Sequence, residues 1–218
     1  AGLASACGVP PDVAAAITPV AEMEDLIYER TGAKKGEIGG FFKLNPRVDD
    51  IPERFAVSAG GIRILSLGPV QMGGAGCLCP ENALRRRLVT HLLLRRDEVL
   101  ILDMEAGVEH LGRGTARAVD AFVVVVEPGR RSLQTAHTIY GLAQDLGIER
   151  VHVVGNKIAS ASDEAFIAEQ LPEFDVLGFL PSDRLAIEAD RTGQAVFSIA
   201  PQLVERARAI ASRLEGTK

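Results

Sequence analysis

Short apolar runs alternate with amphipathic stretches along most of this chain, and the pattern sharpens after residue 61. Residues 62–67 predict a strand. Residues 81–96 predict a helix with Leu84, Leu88, His91 and Leu92 along one side, the spacing of an amphipathic helix. Residues 98–102 predict a buried strand ending at Asp103, and residues 121–126 another. Residues 132–146 predict a helix closed by Gly147, since Gly takes the left-handed position after a helix at little cost. A strand at 151–154 then runs into Gly155-Asn156-Lys157, followed by a helix at 163–171 and a strand at 176–180. A final helix at 201–214 carries Pro201 in its first turn, where a missing N–H costs nothing.

Strands without polar alternation, separated by helices, predict a parallel sheet covered on both faces. The expected fold class is therefore α/β, a doubly wound, mostly parallel sheet. In such sheets ligands bind beyond the carboxyl ends of the strands. The first sixty residues are looser. Residues 12–31 carry a helical pattern that Pro19 interrupts. Residues 32–50, rich in Gly and charge, predict an irregular connection leading into Asn45-Pro46-Arg47-Val48-Asp49-Asp50-Ile51-Pro52. There is no internal repeat and no low-complexity tract.

The 218 residues suit one α/β domain over 1–218, and 47% hydrophobic with 24% charged residues predicts a packed core. A formal net charge of -5 without a basic stripe argues against a nucleic-acid partner. The longest strongly apolar run, 121–126, is strand-sized, so no membrane span is expected. The small residues at 1–8 lack the basic region of a signal peptide. Three cysteines do not make a disulfide framework, and a reduced, cytoplasmic setting is expected.

Chemistry concentrates at strand ends. In Val99-Leu100-Ile101-Leu102-Asp103-Met104-Glu105-Ala106-Gly107 an apolar run delivers a carboxylate to the sheet edge, with Gly four residues on. Asp103 can hold a Mg²⁺-bound water, and the Gly107 backbone can approach a terminal phosphate. An ordinary strand-end Asp has the same look. In Gly155-Asn156-Lys157, the Asn156 amide offers a donor beside an acceptor, which matches the edge of adenine. A guanine-reading loop usually adds an Asp two residues after the Lys, where this chain has Ala159. The plainer alternative is a turn that uses Asn for its backbone angles.

Gly73-Gly74-Ala75-Gly76-Cys77-Leu78-Cys79-Pro80-Glu81 is the third candidate. Alternate residues of an extended segment point the same way, so both thiols can converge on one ion. Pro80 suits a first helical turn, which places Cys79 at or near the helix N-terminus, where thiolates are favoured. Thiolates select soft or borderline metals such as Zn²⁺ and also suit Ni²⁺. Two thiolates do not complete a tetrahedral site, but two chains about a two-fold axis supply four. Arg85, Arg86 and Arg87 can offset part of the charge. A pair of partly buried free cysteines is the competing account. Glu109-His110 is read as a switch element rather than a catalytic pair, and His91, His137 and His152 as packing or surface residues.

With these stretches in place, the chain resembles the nickel-insertion accessory ATPases of carbon monoxide dehydrogenase, which are MinD/ParA-type P-loop NTPases. The resemblance runs over nearly all of the chain. It is carried by residues 45–52, by Gly74 to Glu81 with the Cys-x-Cys, by Asp103-Met104-Glu105-Ala106-Gly107-Val108-Glu109-His110-Leu111-Gly112-Arg113-Gly114, and by Val154-Gly155-Asn156-Lys157. It implies an ATP-dependent homodimer with a divalent metal, Ni or Zn, held by Cys77 and Cys79. It places Asp103 at the Mg²⁺ of ATP or ADP, Gly107 near the γ-phosphate, Asn156 and Lys157 at adenine, and Pro181-Ser182-Asp183 along the base pocket. The implied client is carbon monoxide dehydrogenase, alone or joined to acetyl-CoA synthase.

The dipeptide Gly-Lys of a phosphate-binding loop occurs nowhere in these residues. The family carries that loop on a strand and helix before the segment matched by residue 1. The expectation is thus an N-terminally shortened form of the fold, missing its first strand and P-loop and folding poorly alone. Two other functions fit the same residues: a nucleotide-independent metal-binding protein, and a MinD/ParA-like regulator acting through partner binding.

Overall fold

A computed structural model of the chain describes residues 2–37, 41–68, 79–93, 98–104 and 119–216. The chain divides into two compact units, Ala1–Asp103 and Met104–Lys218.

In the first unit, Pro19 breaks the helical pattern as expected. α1 (Gly2–Ala6) and α2 (Pro11–Ala15) precede it, and a 3-10 turn (Val20–Glu22) and α3 (Glu24–Thr31) follow. Gly32, at φ 80°, ends α3 in the left-handed conformation. α4 (Ile51–Phe55) leads into β1 (Val57–Ala59) and β2 (Ile62–Ile64), and α5 spans Pro80–Leu93. Val20, Leu26, Ile27, Val48, Ile51, Leu84 and Leu88 form the core, so the helix face read from Leu84 and Leu88 is the buried one.

Two expected strands are corrected here. The run 62–67 contributes only Ile62–Ile64 to a strand, and its partner is antiparallel β1. Gly60 and Gly61 have φ of 56° and 83°, the pair of positive angles that closes a two-residue hairpin. A local turn therefore captures these residues before a parallel neighbour can. Beyond the hairpin, the carbonyls of Ser66 and Leu67 accept from the N–H groups of Val20 and Ala21 at 2.9 and 3.2 Å. Residues 98–102 are neither a strand nor buried: Val99 is 90% and Ile101 79% exposed. A strand exists only where a neighbour takes up its backbone hydrogen bonds, and among the described residues none pairs with this segment. What holds its start is an ion pair from Arg63 to Glu98 at 2.6 Å.

The second unit is the parallel α/β layer. In order it contains β3 (Phe122–Val126), α6 (Arg130–Leu146), β4 (Val151–Ile158), α7 (Ala161–Gln170), β5 (Asp175–Pro181), α8 (Arg184–Thr192), α9 (Val196–Ile199) and α10 (Pro201–Gly216). The sheet order is β3-β4-β5, all parallel. Gly147, at φ 77°, closes α6 as read.

Two glycines show how helices cover both faces. A Cβ on Gly155 would meet the Phe179 ring at 2.5 Å and Ile167 of α7 at 3.1 Å. A Cβ on Gly178 would meet Ile210 of α10 at 2.8 Å. Gly155 pairs with Phe179 and Gly178 with Val154, neighbouring positions that point to opposite faces. α7 and α10 thus lie on opposite sides of the β4–β5 pair, the doubly wound α/β arrangement expected. On β3, Val124 and Val126 are buried while Val123 and Val125 are 38% and 59% exposed. Among the described residues no helix is long and apolar enough to cross a membrane.

Candidate nucleotide and metal sites

The carboxyl ends of β3, β4 and β5 lie side by side. β4 does not stop at Val154, where the apolar run suggested. It continues to Ile158 because Gly155 finds Phe179 and Ile158 finds Pro181 on β5. Asn156 and Lys157 are bulged between those two pairings. Lys157 is the single non-glycine residue with positive φ, 57°, among the described residues. The bulge is held locally, since the backbone N–H of Lys157 donates to Asn156 Oδ1 at 2.9 Å. That bond leaves the half-buried Asn156 its amide donor and a second lone pair on Oδ1.

The Ser182 N–H donates to the Ile158 carbonyl at 2.8 Å, which sets Pro181 and Ser182 directly beside the Asn156 bulge. Asp183 Oδ1 accepts from the Leu185 N–H at 2.8 Å, so its carboxylate caps the N-terminus of α8. Asn156, Lys157, Pro181, Ser182 and Asp183, read from separate motifs, are brought together. The segment 181–183 is available through shape and backbone, because the Asp183 side chain is engaged in its cap.

A partner that the sequence reading passed over also lies here. Lys157 Nζ is 2.6 Å from Glu127 Oε1, at the end of β3. The Glu127 N–H in turn donates to Ser132 Oγ at 3.0 Å. The available signal was position: Glu127 is the first polar residue after the apolar run 121–126.

Asp103 belongs to the other unit and is exposed. Its carboxylate is open to a hydrated cation, the form in which Mg²⁺ is usually bound. Gly107 and the Glu109-His110 pair lie outside the described residues, as does Cys77. Cys79 is 6% exposed, and its carbonyl accepts from the Ala83 N–H at 3.1 Å, which starts α5. The expected helix N-terminal placement of Cys79 is therefore found. Among the described residues no group of three or more His, Cys, Asp or Glu side chains is gathered for a metal.

Of the three consecutive arginines on α5, Arg85 is buried at 8% exposure, while Arg86 and Arg87 face solvent. Burial pushes the Arg85 guanidinium below its ordinary value, and the charges of Cys79 and Glu81 oppose that shift. Cys7 packs beside the small cluster of Ala4, Val9 and Ile64. His137 meets Glu173 at 2.5 Å on the surface, and buried His152 meets Asp175 at 2.9 Å, so both are packing or surface residues as read.

No family model matches the chain. Over 214 residues it is 48% identical to the carbon monoxide dehydrogenase accessory protein CooC of Rhodospirillum rubrum, a match covering 98% of this chain and 81% of that protein. It is 45% identical over 183 residues to an uncharacterised ATP-binding protein of Methanocaldococcus jannaschii, covering 83% and 71% of the two chains. A second uncharacterised ATP-binding protein of that organism is 27% identical over 168 residues, covering 77% and 66%.

Proposed function

The chain belongs to the family of the carbon monoxide dehydrogenase accessory protein, and from that premise we propose that it is an ATP-dependent metallochaperone serving nickel insertion into carbon monoxide dehydrogenase. The observation that carries this reading is the 48% identity spread over 98% of the chain. The ATP-binding relative at 45% identity supports the nucleotide half of it.

Asn156 would read adenine through its free amide donor and remaining acceptor pair, with Lys157 beside it and Pro181-Ser182-Asp183 walling the base. Asp103 would hold a Mg²⁺-bound water, and Gly107 would let its backbone N–H approach the γ-phosphate. Bound Mg²⁺ supplies charge neutralisation on the phosphates when present. The metal half rests on Cys77 and Cys79. Thiolate donors suit Ni²⁺ or Zn²⁺, and a homodimer would present two such pairs to one ion. A reduced cytoplasm would keep such thiols out of disulfides. The client would be the dehydrogenase, alone or joined to acetyl-CoA synthase.

Native mass spectrometry of the reduced full-length protein tests both halves, with Ni²⁺ or Zn²⁺ and with or without Mg-ATP. One metal per two chains, lost in Cys77→Ala and Cys79→Ala, together with added nucleotide mass, is expected. Metal uptake without nucleotide binding would favour a nucleotide-independent metal-binding protein. Nucleotide binding with no cysteine-dependent metal would favour a regulator that acts through partner binding.

A further inference from the structure

The parallel sheet gives Asn156 a neighbour on each side. Val126 of β3 and Phe179 of β5 both pair with Gly155, the residue before it. On the β5 side, Pro181 pairs with Ile158, and the Ser182 N–H donates to the Ile158 carbonyl at 2.8 Å. On the β3 side, the residue after Val126 is Glu127, whose Oε1 lies 2.6 Å from Lys157 Nζ. The Glu127 backbone is held as well. Its N–H donates to Ser132 Oγ at 3.0 Å, and its carbonyl accepts from the Gly129 N–H at 2.7 Å.

Stability does not account for this arrangement. Lys157 keeps a φ of 57°, which a residue with a side chain adopts only at a cost. The ion pair at the end of that side chain is more than half exposed on both partners, where such pairs contribute little. A strained residue ending in a weak pair fixes a position rather than strengthening the fold. The position fixed is that of the Glu127 carboxylate, which stays open to solvent. A carboxylate has about four acceptor positions, and one ammonium occupies one of them.

Adenine offers a donor for such an acceptor. Its exocyclic amino group carries two N–H bonds. Asn156 Oδ1 already accepts from the Lys157 N–H, so its remaining lone pair can take one of them. The second needs another acceptor. A purine with a carbonyl at that position presents lone pairs instead, which a carboxylate repels.

We propose that Glu127, steadied by Lys157, is the specificity-determining residue of the base site: its carboxylate accepts the second amino hydrogen of adenine and turns away purines that carry a carbonyl there. This rests on the reading of Asn156 as the adenine contact. Lys157 is then a positioning residue, acting through Glu127 rather than on the base.

The test is calorimetric titration of the full-length protein, in Mg²⁺, with ATP, inosine triphosphate and 2′-deoxy-ATP, alongside thermal melts. The wild type is expected to prefer ATP to inosine triphosphate. Glu127→Gln swaps one acceptor for a donor at nearly constant size. It is expected to lower that preference about tenfold or more, by weakening ATP and tightening inosine triphosphate. Lys157→Met keeps the stem without the ammonium and is expected to lower the preference less. A merely structural Glu127 would weaken both nucleotides together, so an unchanged preference in folded Glu127→Gln overturns the proposal. If Glu127→Gln does not fold, Lys157→Met decides: a reduced preference supports the proposal and an unchanged one overturns it. Equal wild-type affinity for the two nucleotides also overturns it. So does a Glu127→Gln protein that loses only a preference for ATP over 2′-deoxy-ATP, since the carboxylate then serves the ribose. Asn156→Asp in the same assay separates the two failures. ATP affinity that ignores Asn156 removes the base site and this proposal with it. ATP binding that needs Asn156, with a preference that ignores Glu127, removes the proposal alone.

Discussion

Lys157 Nζ lies 2.6 Å from Glu127 Oε1, joining the carboxyl ends of two neighbouring parallel strands. The lysine that makes this bridge holds a backbone φ of 57°, a conformation in which its Cβ crowds the following carbonyl. Both side chains are more than half exposed, at 64% and 53%, so the ion pair itself contributes little to stability. The bulge is set by the pairings on either side of it and by the Asn156 hydrogen bond.

Substitution at position 157 can separate backbone strain from the ion pair. Lys157→Ala and Lys157→Gly both delete the bridge to Glu127, but only Gly is free of the left-handed penalty. Lys157→Gly should be more stable than Lys157→Ala by about 1 kcal/mol in thermal or urea unfolding. Equal stabilities would mean that the local backbone relaxes when the side chain is shortened.

Asn156 supports both the bulge and the proposed base contact, and the two roles separate chemically. Asn156→Asp keeps the oxygen that accepts from the Lys157 N–H but removes the amide donor. It should leave the melting temperature near that of the wild type and weaken ATP binding about tenfold or more, the scale of one good base-edge contact. Titration of a fluorescent ATP analogue into the full-length protein reads this directly. Unchanged affinity in Asn156→Asp would remove Asn156 from the base site.

At Gly155, β4 packs closely against Phe179 of β5 and Ile167 of α7. A methyl group there would sit 2.5 and 2.9 Å from carbons of the Phe179 ring and 3.1 Å from Ile167. Gly155→Ala should destabilise the protein by about 1–3 kcal/mol through overpacking. Gly155→Ala combined with Phe179→Leu should lose less than the sum of the two single changes, because the neighbours share the strain. Strict additivity in denaturant melts would locate the cost elsewhere.

These residues also show which parts of the architecture were readable from sequence. The runs 121–126 and 151–154 are valine-rich, and both are strands because each finds a parallel neighbour. Residues 98–102 are as apolar but have no strand beside them among the described residues, so composition alone misled. The continuation of β4 through Asn156 was not legible, because it depends on Ile158 meeting Pro181, a pairing set by tertiary structure. α8 was missed although Asp183 and Gly193 bracket it. The resemblance points to Asp183 as a pocket residue, yet an Asp before a short amphipathic stretch is also a cap. The inward turn of Arg85 follows from helical spacing, since it shares a face with Leu84, Leu88 and Val89, but a charge run hides which of its members is buried. Cys77 and Gly107 lie outside the described residues, so those two assignments rest on the motifs that contain them and on the resemblance.

The network at Asp50 carries a pH dependence whose sign can be worked out. Asp50 Oδ2 receives Arg30 Nη2 at 2.7 Å and Arg54 Nη1 at 3.1 Å. The bond from Arg30, then the bond from Arg54, hold the Asp50 carboxyl well below the usual carboxylate range. Arg30 is 8% exposed and also donates to the Arg47 carbonyl at 3.4 Å, so the pair fastens α3 to the segment leading into α4. A folded-state value below the unfolded one means that the unfolded chain binds the proton more readily. The stabilisation is therefore complete above the unfolded value, about 4, and is lost as the pH falls from there through the depressed folded value. Asp50→Asn removes the charge at every pH and leaves the Arg30 guanidinium without its carboxylate. Its melting temperature should lie several degrees below the wild type by a constant margin between about pH 5 and 8. That margin should shrink steadily below about pH 4, as the Asp50 carboxylate of the unfolded wild-type chain takes up its proton while the folded one stays charged. Paired thermal melts across that range measure the difference. A margin that stays constant down to about pH 3 would assign the loss to packing around Arg30 rather than to the charge on Asp50.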